Sequence, residues 1–216
     1  MEKKPSRSRA ANKLLRRQQL IDATIQCIET MGFADTTLAK VAEKAGLSQG
    51  IVIFHFKSKE TLFEETLRYL ALEYKAVFEA ALSKAKDSPI DRLCTMIRTD
   101  FDPKICNETK IGIWHSFWGE AKTRPLYRDL YGYVDKELYE TLLENCKELS
   151  KAPSAQMEAE DAVLAIDSMI NGLWQRCFLA PKQFNRKRSL DMTFDLLGMI
   201  YPDQKEEILK HKKRLK

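Results

Sequence analysis

Glycine and proline are scarce, 8 and 7 in 216 residues, and long runs hold neither, which argues for a mostly helical chain. No apolar run is long enough to span a bilayer, so no membrane segment is expected. The basic N-terminus lacks the apolar core of a secretory signal. The five cysteines (27, 94, 106, 146 and 177) are scattered, odd in number and without a paired short spacing. That favours free thiols in a reducing cytoplasm over a disulfide framework or a zinc site. A Gly-rich phosphate loop is missing. His115 is followed by Ser-Phe-Trp-Gly-Glu rather than a metalloprotease spacing, and the other histidines, 55 and 211, lie far from it. Asp and Glu mostly sit on helix faces opposite the apolar stripes. No catalytic residue, metal ligand or cofactor is therefore expected.

What the chain does have is charge placed at its ends. The net charge is +5, with hydrophobic residues at 44% and charged ones at 31%, normal for a globular protein with ample core. Lys3, Lys4, Arg7, Arg9, Lys13, Arg16 and Arg17 face only Glu2 in the first stretch. Lys205, Lys210, Lys212, Lys213, Arg214 and Lys216 crowd the other end. Such arms are footprints of polyanion binding or simple solvated tails; the N-terminal one reads as a DNA-phosphate arm, the C-terminal one as a tail.

Between them, Thr37 to Phe56 reads as two short helices around a tight turn. Leu38, Val41, Ala42 and Ala45 recur at helical spacing, and Asp35, Thr36 and Thr37 can cap their helix. Gly46 supplies the left-handed stop, and Ser48 can cap a second helix through Gln49, Ile51, Val52 and Phe54. This is a helix-turn-helix pattern, whose second helix enters the major groove, set against the plainer reading of a helical hairpin. A first helix, from about Asn12 to Thr30, carries the apolar stripe Leu20, Ile21, Ala23, Thr24, Ile25, Cys27 and Ile28 on which the pair would pack.

The rest is helical too. A long helix is expected over Lys59–Lys86, followed by Ile90–Phe101, Glu108–Lys122, Arg124–Leu149, Ala155–Ala180 and Arg188–Met199. The fold class is all-α. A disordered basic arm (1–11) and a three-helix helix-turn-helix domain (12–60) are joined by the long helix to a helical ligand and dimerisation domain (61–202), with a basic tail (203–216). Trp114 and Trp118 lie four apart with Phe117 beside them, Tyr127 and Tyr131 repeat that spacing, and Trp174 follows. From spacing alone these aromatics are either core or a pocket.

Gly46-Leu47-Ser48, Gly50 and Phe54-His55-Phe56-Lys57-Ser58-Lys59-Glu60 resemble the DNA-binding domain of TetR-type transcriptional repressors. Gly32-Phe33-Ala34-Asp35-Thr36-Thr37 and Arg16-Arg17-Gln18-Gln19-Leu20-Ile21-Asp22-Ala23-Thr24 fit it as well, the latter block most like the BetI-like, choline-responsive branch. The match is dense from Arg16 to Leu67. The resemblance implies a bacterial, cytoplasmic repressor that binds a palindromic duplex operator as a homodimer and is released by a small-molecule inducer.

It carries over DNA contacts to Arg16, Arg17, Thr36, Thr37, Ser48, Gln49, Gly50, Ile51, Ile53, Phe54, His55, Lys57 and Lys59. Gln49 matches a base-reading Gln suited to adenine, while Thr37 and Lys59 match phosphate contacts. Ile51 and Ile53 stand where the family often has Thr and Tyr, so readout there must be apolar, such as contact with a thymine methyl. His55 either packs beside the backbone with Phe54 or caps the recognition helix. The last two helices would form a four-helix dimer bundle through Met169, Ile170, Leu173 and Phe178, unless these are plain core. The BetI-like branch makes choline or betaine aldehyde the expected inducer, held by aromatic faces, with Glu120 or Asp167 balancing its charge. Competing classes are a helical enzyme or carrier with an incidental basic arm, and an architectural DNA-binding protein without a ligand.

Overall fold

The computed structural model describes the backbone of residues 6–213 and the side chains of 11–213 except 128 and 130–135. Every regular element among the described residues is helical. In order they are α1 (Ser6–Asp35), α2 (Leu38–Lys44), α3 (Gln49–Phe56), α4 (Lys59–Leu82) and α5 (Pro89–Asp100), then α6 (Glu108–Glu120), α7 (Pro125–Leu149), α8 (Ala159–Leu179), α9 (Arg186–Ile200) and α10 (Lys205–Lys213). A 3-10 turn, Pro202–Gln204, precedes α10. None of the described helices is long and apolar enough to cross a membrane.

Two expectations at the chain ends are corrected. The arm expected to be disordered over 1–11 is helical from Ser6, because the run behind Pro5 is rich in Ala, Leu, Arg and Lys, all good helix formers; residues 1–5 lie outside the described part. The expected basic tail is a 3-10 turn and a docked helix. Ile208 and His211, three apart on α10, are 3% and 1% exposed, so a charge-rich segment hides a buried face; 214–216 lie outside the described residues.

The helices belong to two units, one holding residues up to Ala71 with Ile113–Leu130, the other Leu72–Gly112 with the chain from Tyr131 onward. In the first, Leu20, Thr24 and Cys27 of α1, Val41 of α2, Val52 and Phe56 of α3, and Leu62 and Phe63 of α4 are all buried. Local chemistry shapes the turns. Gly32, at φ 81, breaks the regular α1 geometry. Thr37 caps α2, its Oγ1 accepting from the Lys40 amide at 3.3 Å. Gly46 (φ 63) closes α2: its amide donates to the Glu43 carbonyl and the Leu47 amide to that of Ala42. That paired bonding satisfies carbonyls the helix would otherwise leave open, and the φ favours a residue without a side chain. Ser48 holds the position before α3, but its side chain makes no capping hydrogen bond, contrary to expectation.

In the second unit the core gathers Phe78, Leu93, Ile97, Phe101, Ile111, Ile166, Phe194 and Leu197. Ser88 and Pro89 start α5, with the Asp91 amide donating to Ser88 Oγ at 3.2 Å. The long helix after Lys59 stops at Leu82, before the expected Lys86.

Candidate functional site

The outer side of the helix-turn-helix presents Thr37, Ser48, Gln49, Gly50, Ile53, Phe54 and Lys57, all exposed, with Ile51 and His55 half-buried beside them. Lys57 ends α3 at a positive φ of 63. His55 Nδ1 is buried without a hydrogen-bond partner in the protein, which removes it as a capping group for α3. Burial first, then the cations of Lys13 and Arg17, hold the His55 ring below its usual pKa, so it sits neutral beside the basic face.

Three residues expected on DNA have partners within the unit. Thr36 is fully buried, its hydroxyl donating to the Gly32 carbonyl at 2.7 Å across the break in α1. Arg17 pairs with Glu65 at 2.7 Å, donates to the His55 carbonyl at 3.2 Å and lies 4.6 Å from the Phe56 ring centre. It therefore ties α1, α3 and α4 together. Lys59 donates to the carbonyls of Ala34 (3.1 Å) and Phe33 (3.4 Å) and lies over the Phe63 ring, so its ammonium caps the end of α1. Arg16 is exposed, donating to Gln19 at 2.8 Å, and Gln19 in turn donates to the Ala45 carbonyl at 2.7 Å.

The expected ligand aromatics divide between the units. Phe117 and Tyr127, 1% and 3% exposed, are core of the DNA-binding unit. Phe33, the residue after the Gly32 break, meets Phe63, Phe117 and Tyr127 edge-on with ring centres 4.6, 5.4 and 6.0 Å away. Such pairs contribute roughly 0.5–1.5 kcal/mol each beyond the area they bury. The sequence did not reveal this, because Phe33 falls beyond the helical stripe that organises α1. Trp114 and Trp118 stack with centres 6.4 Å apart and planes tilted 31°, and His115 meets Trp118 edge-on at 4.9 Å. The Tyr131 side chain lies outside the described residues.

In the second unit Trp174 is 5% exposed. Its indole Nε1 donates to the Asp100 carbonyl at 3.0 Å, and the Tyr74 hydroxyl donates to Asp100 Oδ1 at 2.9 Å. The two rings stand perpendicular, 6.1 Å apart. Sequence reasoning singled out neither Tyr74 nor Asp100, because their pairing joins residues far apart in the chain. Of the residues expected at a dimer contact, Ile170 is buried in its own chain's core at 7% exposure, and Leu173 packs on that core. Met169 is half-buried. The Phe178 ring lies so close over α6 that a Cβ at Gly112 would meet it at 2.7 Å. Phe178 is nonetheless 37% exposed, and further exposed apolar residues on these helices are Leu164 and Leu179 on α8 and Met192 and Met199 on α9.

Residues 20–66 match the family described as bacterial regulatory proteins, tetR family, and residues 89–201 match the BetI-type transcriptional repressor C-terminal family. The HTH-type transcriptional regulator BetI of Serratia proteamaculans is 34% identical over 85% of this chain and 91% of that protein. The protein of the same description from Stenotrophomonas maltophilia is 35% identical over 81% and 87%. A solved structure from Saccharomonospora viridis, assigned as a transcriptional regulator and in complex with choline, superposes with a TM-score of 0.74 at 18% identity, covering 84% of this chain and 94% of that one. With matches across both halves, the chain belongs to the TetR family of bacterial transcriptional regulators in its BetI type: a DNA-binding repressor with a ligand-binding C-terminal domain, not an enzyme.

Proposed function

We propose that this repressor binds a palindromic operator as a homodimer and is released by a small quaternary ammonium or related cation, with choline and betaine aldehyde the leading candidates. The observation that carries the inducer reading is the Tyr74–Trp174–Asp100 constellation: two perpendicular rings bound to one acidic residue. A quaternary ammonium cannot donate hydrogen bonds, so aromatic faces are its natural partners, each contributing ~0.5–2 kcal/mol. The choline complex of the Saccharomonospora viridis structure supports the same class. Calorimetry with choline and betaine aldehyde on wild type and Trp174→Ala tests it. Binding to wild type that the substitution weakens by ten-fold or more is expected; no heat with either compound removes the choline assignment.

A route from ligand to DNA is supported by three helices, α4, α6 and α7, each of which contributes residues to both units. The α6 and α7 residues Phe117 and Tyr127 touch Phe33, four residues before Thr37 caps α2. A ~10-fold loss of DNA affinity requires only about 1.4 kcal/mol of coupling. For the dimer, the exposed apolar residues Leu164, Leu179, Met192 and Met199 give α8 and α9 a surface for a second copy. Leu164→Glu should yield monomers by light scattering at micromolar concentration; a wild-type monomer there would reject the dimer.

A further inference from the structure

We propose that α3 reads its operator mainly through thymine methyl groups: Ile53 and Phe54 seat on 5-methyls in the major groove, and the base pairs facing α3 are A·T. This rests on the DNA-binding repressor assignment and names the chemistry that assignment leaves open.

The sequence of α3, Gln-Gly-Ile-Val-Ile-Phe-His-Phe, contains no Arg, Lys, Asp or Glu. The commonest guanine contact, Arg or Lys on O6 and N7, therefore has no donor on this helix, and a carboxylate acceptor for the cytosine amino group is missing too. Val52 and Phe56 are buried in the unit's core, yet Ile53 is 46% and Phe54 73% exposed. Large apolar groups on both the inner and outer sides of a short surface helix are costly to leave wet, so the outer pair calls for an apolar cover. The major groove offers one such surface on base edges, the C5-methyl of thymine.

Position agrees with composition. Gln49 and Ile53 are four apart, hence on one helix face, and Gln49 carries an amide suited to the N6 and N7 of adenine. Gly50 and Phe54 are likewise four apart; at Gly50 the surface is open, since even an added Cβ would meet only Ser48 Oγ at 3.8 Å. A base edge can approach there beside the Phe54 ring. Ile53 and Phe54 make the outer face apolar while their neighbour Gln49 supplies the adenine contact.

The test uses the full-length protein. Duplexes are selected from a random pool, and the selected sequence is resynthesised with deoxyuridine replacing thymidine in one symmetric pair at a time. Deoxyuridine keeps every hydrogen-bonding atom and lacks only the methyl. Affinity is read by fluorescence anisotropy at fixed salt. Loss of a methyl buried under Ile53 or Phe54 should weaken binding about 4-fold, and about 16-fold for a symmetric pair. The penalty should vanish in Ile53→Ala or Phe54→Ala at the position each covers and persist in Gln49→Ala. Both apolar side chains are solvent-exposed, so their truncation leaves the core intact; unchanged thermal midpoints check this. Equal affinity of uridine and thymidine duplexes for wild type, or a Phe54→Ala loss that is the same for every sequence, overturns the proposal. Failure to enrich any sequence overturns the repressor assignment with it.

Discussion

Arg17 decides between two physical roles that the sequence alone could not separate. A cation in a basic arm before a helix-turn-helix reads as a phosphate contact, whereas the structure gives it three internal partners on two other helices: Glu65, the His55 carbonyl and the Phe56 ring. Its side chain is 32% exposed, so the ion pair counts only at the low surface value. The charged hydrogen bond to a carbonyl and the stacking over Phe56 contribute more, and Arg17→Ala should cost about 2 kcal/mol in all. For a chain of this size that lowers the thermal midpoint by roughly 4–8 °C. Arg17→Lys keeps the charge but loses the planar fork, and should fall between. Phosphate contacts reveal themselves differently: each one lost reduces the slope of log affinity against log salt by ~0.9. Differential scanning calorimetry and salt-dependent DNA binding on Arg17→Ala and Arg16→Ala form the assay. The exposed Arg16 should change the slope and leave the midpoint nearly alone. An Arg17→Ala protein with an unchanged midpoint and a reduced slope would refute the structural assignment.

The C-terminal helix should be a stabilising latch. His211 Nε2 and Asp91 Oδ1 are 2.9 Å apart, and Arg98 donates to His211 Nδ1 at 2.9 Å and to its carbonyl at 3.0 Å. His211→Ala strips partners from a buried carboxylate and an arginine, and should cost about 2–4 kcal/mol by denaturant unfolding; a change under about 0.5 kcal/mol would place the latch elsewhere. Burial pushes the Asp91 carboxyl up, but the Lys86 amide and the His211 ring outweigh it and hold it below the usual range. Its stability contribution is therefore full above about pH 4 and lost as pH falls through the lowered value. A separate loss should begin at milder acidity. Burial holds both His55 and His115 below their usual pKa, so the unfolded chain takes up their protons first below about pH 6.5. Midpoints should fall from pH 7 to pH 5, and the His55→Gln, His115→Gln double variant should flatten that fall; an equal fall in the variant would exclude these two groups.

The elements that the sequence determined are those whose signals are local. Gly46 and Thr37 mark the helix-turn-helix because a left-handed turn and a helix cap are made by residues adjacent in the chain. The apolar stripe of α1 and the all-α class follow from periodicity within single segments. The density of motif residues between Arg16 and Leu67 then carried the family. Tertiary structure decided what each polar or aromatic side chain is used for. Arg17 and Lys59 sit in the DNA-binding segment, yet their partners at Glu65 and Ala34 become visible only when α1 folds onto its neighbours. Phe117 and Tyr127 carried an aromatic spacing equally suited to pocket or core, and Phe33, distant in sequence, claims both. Trp174 gains Tyr74 and Asp100 the same way. Ile208 and His211 stayed hidden in a lysine run because two buried residues in a helical turn give almost no periodic signal until α5 supplies Asp91 and Arg98. Spacing fixes which side chains share a helix face; what that face meets depends on residues tens of positions away, brought there by burying the core.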